Sequence, residues 1–333
     1  MIKKSFHFYI DVVGTCNLMC PSCPVGNSPE VSGKRGVMTE LLLDQILAKA
    51  TGECAVSCVD LFNWTEPLLN PKLPKLIDVV NSYNVPCGIS TNLNIIKQVD
   101  LDELLATNVS GIRISVSGFS QSIYGVTHKG GDIEQVKRNM LMLAESKQRT
   151  NSATRISVAY IRYLNNYVDE KLMEKYAHEL GFEFTPTWAF MMPLEKVLDY
   201  VDGQSPLHEA DRKVLSNLAL PLPEALEAAK KHKDTPCTLL NDQITLDVAG
   251  DVQLCCAVYD GDKYKVANYL NTPLEEIQKI KENFSICRTC TKHGLHVYYT
   301  HTSSELSDIA HQKRQAFEKE KNLFLGGDIT NGG

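Results

Sequence analysis

No apolar stretch of this chain is long enough to span a bilayer, which excludes a helical membrane anchor. No long run of lysine or arginine is present either, and the formal net charge is −6. That balance argues against nucleic acid or an anionic membrane as a partner. The opening Met1-Ile2-Lys3-Lys4 is basic, but His7 and Asp11 interrupt the segment behind it. No signal peptide is therefore expected, and the cytoplasm is the expected compartment. Without export, a disulfide framework is not expected. What the chain does have is cysteine, eleven in 333 residues. In a chain without an export signal, metal binding or catalysis is the use to expect of them. Hydrophobic content of 43% and charged content of 22% are those of an ordinary globular protein. The length suits one large barrel plus a modest second unit.

Three of the cysteines stand together in Cys16-Asn17-Leu18-Met19-Cys20-Pro21-Ser22-Cys23, just after the strand-like run Phe6–Val13. The spacing is C-x3-C-x2-C. Three close thiolates can hold three irons of a 4Fe–4S cluster and leave the fourth iron open. A zinc site is the alternative, but structural zinc takes four protein ligands and no fourth Cys or His follows nearby. The run resembles the signature of the radical S-adenosylmethionine (SAM) superfamily. That resemblance implies a fourth iron that chelates the amino and carboxylate groups of SAM. It also implies an external one-electron donor, such as flavodoxin or ferredoxin. The electron splits SAM into methionine and a 5′-deoxyadenosyl radical, which abstracts hydrogen from substrate.

From the start to about Thr187 the chain alternates strand-like and helix-like segments. Strands are expected at Phe6–Val13, Val56–Phe62, Val85–Ser90, Gly111–Ser117, Arg155–Arg162 and Phe182–Thr187. Helices are expected at Thr39–Ala50, with Thr39 as N-cap, and at Lys72–Tyr83, Leu101–Thr107, Ile133–Glu145 and Glu170–Leu180. Such alternation implies parallel strands joined by right-handed crossovers, in an α/β fold. An open doubly wound sheet would give the same pattern. The family resemblance selects a partial (β/α)6 TIM-like barrel, expected over residues 1–193. Residues 194–235, rich in charge and holding Pro206, Pro221 and Pro223, read as a helical bridge. A compact unit is expected over 236–302, and an exposed helix with a glycine-rich tail over 303–333.

Cys237, Cys255, Cys287 and Cys290 form the other thiol set. Ile244–Val248 and Val252–Cys255 read as a hairpin turning at Asp247-Val248-Ala249-Gly250-Asp251. Cys287-Arg288-Thr289-Cys290 reads as a knuckle after a helix at Leu274–Lys281. Four thiolates can close around a metal, and sulfur coordination alone leaves zinc and iron–sulfur both open. Together with the N-terminal motif, the set resembles the auxiliary-cluster region of the SPASM/Twitch subgroup. Twelve residues separate Cys237 from Gly250, within the C-x(9–15)-G-x4-C opening of that region, and no cysteine follows Cys290. The shorter Twitch pattern, with one auxiliary 4Fe–4S cluster, is the better match. In cysteine layout the chain resembles 2-deoxy-scyllo-inosamine dehydrogenases more than the sulfatase-maturing enzymes.

Further resemblances concern SAM itself. Asn63-Trp64-Thr65-Glu66-Pro67 occupies the place of the family's Gly-Gly-Glu-Pro motif, with Trp64 and Thr65 where the glycines stand. Glu66 is expected to meet the SAM ammonium, or else to cap a helix at a strand end. Ser90-Thr91-Asn92 resembles Thr-Asn-Gly. Ser115-Val116-Ser117-Gly118 resembles Ser-x-Asp-Gly, which would bring Ser115 to the ribose and put Ser117 in place of the usual acid. Arg162, at the end of the fifth strand, is expected to pair with the SAM carboxylate or a substrate anion, or to lie at the surface. Pro21 replaces a common aromatic residue, which leaves adenine packing unassigned. All these positions lie at C-terminal strand ends, where barrel enzymes build their sites.

Cys54, Cys58 and Cys87 read as small buried hydrophobes. Cys256 adjoins Cys255, and adjacent strand residues point to opposite faces. Cys256 is therefore expected outside the thiol set, as packing or as a hydrogen donor to a substrate radical. His128 reads as a solvated loop histidine, with substrate binding as the alternative. The expected function is oxidation or epimerisation of a small polar, carbohydrate- or aminocyclitol-like substrate. Modification of a ribosomal peptide is a second possibility, although such enzymes often carry an N-terminal peptide-recognition domain and the first strand here begins almost at Met1. A non-catalytic iron–sulfur or zinc protein is the third.

Overall fold

The computed structural model describes residues 3–28, 31, 34–201, 203, 208–300 and 303–327. Six strands carry the expected alternation: β1 Ser5–Ile10, β2 Ala55–Asp60, β3 Cys87–Thr91, β4 Gly111–Val116, β5 Arg155–Arg162 and β6 Glu183–Phe184. They lie side by side in that order, and every adjacent pair is parallel. The sheet is open, giving a partial TIM-like barrel. Alternation along β1 explains its two faces. Phe6, Phe8 and Ile10 are buried against the helices, while His7 and Tyr9 point into the lumen.

Helices cover the outer face. In Glu40–Glu53, Leu43, Ile46, Leu47 and Ala50 recur at helical spacing and are wholly buried. Each large apolar side chain so buried stabilises the fold by roughly 1.5–3 kcal/mol. The Thr39 side chain accepts from the Leu42 amide and starts this helix, as its sequence predicts. The expected sixth strand is broken. Pro186 has no N–H to continue the ladder, so β7, Thr187–Trp188, begins afresh and pairs with the end of β5.

The C-terminal third is not a separate layer. Strand β8, Gln243–Leu246, pairs in parallel with β1 on its free side. Strands β9, Asp251–Gln253, and β10, Lys265–Asn268, extend the same sheet antiparallel. A second core joins the bridge helices Leu194–Val201, Glu209–Asn217 and Leu222–Ala229 to this region and to the final helix, Ser304–Gly327. That helix was expected to be exposed, but Leu306, Ala310 and Arg314 are buried on one of its faces. Of the glycines expected in a tail, Gly326 and Gly327 end this helix. Gly332 and Gly333, like Pro206 of the bridge, lie outside the described residues. No helix among the described residues is long and apolar enough to cross a membrane.

A nearly buried ion network ties that last helix to the barrel. Arg162 donates to Glu170 Oε1 at 2.9 and 2.7 Å, and Arg314 Nη1 meets Glu170 Oε2 at 2.5 Å. Both guanidinium groups lie over the Trp188 ring. Replacing Glu170 by glutamine leaves Arg162 without its anion and Arg314 with only Glu318, 3.4 Å from its Nε, at a cost of about 3–5 kcal/mol. The expected fall in Tm is on the order of ten degrees, read by thermal unfolding. An unchanged Tm would mean that this network does not secure the helix.

Candidate functional site

The segment that leaves β1 crosses the C-terminal ends of the strands and carries Cys16, Cys20 and Cys23. Four other parts of the chain hold it there. Met19 N donates to Lys129 O at 2.9 Å, and Glu66 N donates to Thr15 O at 3.1 Å. Ser22 Oγ and Tyr163 Oη are 2.8 Å apart, and Asn27 Nδ2 donates to Met192 O at 3.0 Å. Gly26 is required for closure, because a Cβ there would overlap the backbone of Cys20. The three thiols are near neighbours that interact electrostatically. Burial pushes Cys16 up to about 11 and Cys23 to about 12, and raises Cys20 further. Such thiols become thiolates when a bound cation replaces the lost hydration.

Donors already face two of the sulfurs. Leu18 N lies 3.5 Å and Asn92 Nδ2 3.7 Å from Cys16 Sγ. The amides of Val25 and Gly26 face Cys23, the N-cap of the short helix Pro24–Asn27. Hydrogen bonds to ligand sulfurs tune a cluster's reduction potential. Asn92 thus touches the cysteine loop directly and also donates to Asn17 Oδ1 at 2.9 Å.

Asp11 is the residue that sequence reasoning missed here. Its Oδ1 accepts from the amides of Asn63, Trp64 and Thr65 at 3.0, 3.2 and 3.1 Å. A buried carboxylate therefore sets the loop in which two glycines are missing. Burial pushes Asp11 up to about 6, against those hydrogen bonds. Trp64 uses the room differently from a glycine. Its indole donates to Val258 O at 3.2 Å and its ring meets Tyr259 edge-on. A cavity of about 500 Å³ opens beside this loop, lined by Asp11, Thr15, Asn63, Trp64, Thr65 and Tyr259 among others.

Glu66 is buried, and both its oxygens are engaged. It accepts from Thr91 Oγ1 at 2.6 Å, Asn92 N at 2.7 Å and Leu68 N at 3.2 Å. It thus caps a short 3-10 turn and ties the end of β2 to the end of β3. Burial raises it to about 7. Ser115 lies half-buried at the end of β4.

Three expectations are corrected. Ser117 is wholly buried, bonded to Thr127 Oγ1 and, at 2.7 Å, to His128 Nδ1. His128 is buried rather than solvated. It stacks on Tyr124, makes a backbone hydrogen bond to Ser115, and is pulled by burial to about 4, hence neutral. It clamps the segment carrying Ser115 and Ser117. Arg162 is committed to Glu170 and so not free to pair with an anion.

The second thiol set gathers in a small apolar cavity, where Cys237, Cys255, Cys287 and Cys290 share the wall with Leu194, Leu239 and Tyr299. Cys287 and Cys290 do not form a loop knuckle. They lie one turn apart in the helix Ser285–Lys292, where i and i+3 share a face. Cys237 N-caps another short helix, and the amides of Leu239 and Leu240 face its sulfur. Strand β9 stops at Gln253, so Cys255 and Cys256 lie beyond it and strand alternation does not apply to them. Cys256 nevertheless lies outside the cavity, with Sγ 3.6 Å from Gln243 Oε1.

Lys281 was also missed. Its side chain is fully buried, and Nζ donates to Leu240 O at 3.0 Å and Gln243 O at 2.8 Å. Burial pulls it down to about 8, opposed by Cys255, Cys287, Cys237 and Cys256. The available signal was its position, on the helix face of Leu274 and Ile277.

Sulfur spacing bears on what either set can hold. A tetrahedral zinc with bonds of about 2.3 Å needs sulfurs roughly 3.8 Å apart. Among the described residues, three or more His, Cys, Asp or Glu donors lie within 4.8 Å of one another only at His7, Cys58 and Asp60. Neither cysteine set is grouped that closely.

Residues 10–163 match the family model described as the Radical SAM superfamily. No curated protein matches the chain. Among solved structures, Streptococcus suis SuiB bound to its precursor peptide SuiA aligns at 15% identity, over 89% of this chain and 71% of that one, with a TM-score of 0.57. The sequence of anSMEcpe, solved with bound AdoMet, is 16% identical over 98% and 96% of the two chains, with a TM-score of 0.58. For BtrN in complex with AdoMet and 2-DOIA the values are 15%, 89%, 90% and 0.49. At these identities the likeness to SuiB and anSMEcpe is one of fold.

Proposed function

The chain carries a radical SAM domain over residues 10–163, and from that premise we propose that it couples SAM cleavage to a two-electron oxidation of a small polar, carbohydrate- or aminocyclitol-like substrate. The observation that carries this reading is the four-cysteine cavity. Its four thiols would fill the coordination of a second 4Fe–4S cluster, and its wall is otherwise largely apolar. Such a group has no position for a substrate and is suited to electron transfer. When bound, the N-terminal cluster with SAM supplies a hydrogen-abstracting 5′-deoxyadenosyl radical, and the C-terminal cluster supplies a place for the second electron.

The chain's own residues do the rest. Asp11 sets the Asn63–Thr65 loop, and Glu66 joins the ends of β2 and β3 over which SAM would lie. Asn92 supports the cluster loop, and His128 holds Ser115 in place for the ribose. The lumen offers Tyr9, Ser90 and Arg113, polar groups suited to a hydroxylated substrate. The reading also requires an external one-electron donor of the flavodoxin or ferredoxin kind.

Ribosomal-peptide modification is the second reading, favoured by the likeness to SuiB, a structure solved with its precursor peptide. Epimerisation, with Cys256 returning the hydrogen, is a variant of either. Product mass separates it: no change in ordinary water, against loss of two hydrogens on oxidation.

The first test is composition. Iron, acid-labile sulfide and zinc are measured per chain after anaerobic reconstitution. About eight irons and no zinc are expected, falling to about four irons when Cys16, Cys20 and Cys23 are all alanine. Zinc in the C-terminal site, with about four irons in the unaltered chain, would remove the electron acceptor and the oxidation with it.

A further inference from the structure

We propose that the lumen holds a divalent-cation site of the zinc class, built from His7, Cys58 and Asp60 and separate from both cysteine sets. One ligand atom of each of these three residues lies within 4.8 Å of the other two. His7 Nε2 and Asp60 Oδ2 are 2.8 Å apart. Strand geometry enforces the grouping. His7 stands opposite Cys58 in the β1–β2 register, after a shift between Phe6 and His7. Asp60 is two residues beyond Cys58 and therefore on the same face. Cys58, expected as a buried hydrophobe like Cys54 and Cys87, is instead only partly buried.

Two neighbours shape the site. His7 stacks on Tyr9, with ring centres 4.4 Å apart and planes at 13°, which fixes the direction of its ring. Asp60 stands opposite Gly88 of β3, where a Cβ would overlap its carboxylate, so glycine makes the room. The nearby cation is engaged elsewhere: Arg113 rests on the Phe62 ring and donates to Ser90 Oγ at 3.2 Å. The side chains of His7 and Asp60 are 29% and 18% exposed, so the site can be reached from solvent.

The donor chemistry selects the ion. Magnesium and calcium prefer oxygen ligands, whereas a set of imidazole, thiolate and carboxylate suits zinc, cobalt or nickel. Zinc bonds of about 2.0–2.3 Å place such donors roughly 3.3–3.8 Å apart. The three donors, within 4.8 Å of one another, are grouped near that spacing. Burial and Asp60 push the Cys58 thiol up to about 11. Three protein ligands leave one coordination position, the arrangement that lets zinc bind an exogenous oxygen. A substrate hydroxyl or carboxylate in the lumen has the chemistry to take it.

The test uses the chain with both clusters loaded and its iron quantified. It is equilibrated anaerobically with micromolar zinc and desalted, and bound zinc is counted by mass spectrometry. Zinc K-edge absorption then reports the ligands. About one zinc per chain is expected, with one sulfur and the remaining ligands nitrogen or oxygen. Cys58→Ser and His7→Gln are expected to bind zinc at least about tenfold more weakly with iron unchanged. Cys54→Ser, at a buried thiol bonded to Ala50 O, is expected to keep it. No bound zinc, a four-sulfur shell that assigns the zinc to the cluster cysteines, or full retention in Cys58→Ser would each overturn the proposal.

Discussion

Replacing Cys20 by alanine is expected to reduce SAM cleavage to background, whereas replacing Cys290 by alanine is expected to leave it intact. Cys20 stands in the middle of the trio, partly buried and in electrostatic contact with Cys16 and Cys23. With it gone, two thiolates remain for a cube that needs three, and the unpaired neighbours return to neutral thiols because burial has raised both. Cys290 belongs to the other site, one helical turn from Cys287. Its removal opens the second cluster without touching the loop that Asn92, Tyr163 and Lys129 support. The measurement is 5′-deoxyadenosine formed under a chemical reductant, with iron counted on the same samples. Cys20→Ala should hold about four irons and Cys290→Ala at least as many, because three thiolates remain at its site, yet only Cys290→Ala should release 5′-deoxyadenosine. If Cys290→Ala also fell silent, the two sites would not be functionally separable. If Cys20→Ala stayed active, the assignment of the open-iron site to the trio would be wrong.

Lys281→Met is expected to disturb the C-terminal cluster more than any other single change outside the cysteines. The buried ammonium sits where four thiolates around a 4Fe–4S core would bring net negative charge. At an effective dielectric of about 20 and a separation of roughly 7 Å, one unit charge is worth about 2 kcal/mol. For a one-electron couple that corresponds to on the order of 100 mV. Without the lysine the oxidised cluster is less easily reduced, so its potential should fall by about that amount, measured by redox titration followed by electron paramagnetic resonance. The carbonyls of Leu240 and Gln243 also lose their donor, at about 1–3 kcal/mol for each buried acceptor left unpaired. Lys281→Arg keeps the charge and is expected to recover most of the potential if it folds. A potential unmoved in Lys281→Met, with the cluster fully loaded, would reduce the residue to a packing element.

Much of the barrel was legible in the sequence. Strand and helix periodicities are local, and β5 was bounded to the residue. The misjudged boundaries have local causes that alternation alone does not weigh. Pro186 cut the last strand, and the return strand of the hairpin stopped before its cysteines. The final helix was read as exposed because Glu and Lys dominate its composition, while Leu306, Ala310 and Arg314 fall on one face at near-helical intervals. The sites divide in the same way. Asn92 was read from the sequence as a strand-end residue of the SAM pocket, and its hydrogen bond to Cys16 came only with the fold. The buried state of Ser117 and His128 was not legible either, because it depends on how the loop after β4 folds back on the strand.

By itself the sequence determined where the two groups of cysteines lie along the chain and the class of fold. Thiol spacings of three and four residues act within one loop or one helical turn, and periodicity needs no distant partner. Tertiary structure alone decided that Asp11 holds the Asn63–Thr65 loop, that Glu170 is bound by both Arg162 and Arg314, that Lys281 is buried beside four thiols, and that His7 meets Cys58 and Asp60. Each of these joins side chains set by strand register, helix docking or chain closure. Whether a charged group meets solvent, a counter-ion or a ligand is fixed by what the fold brings opposite it.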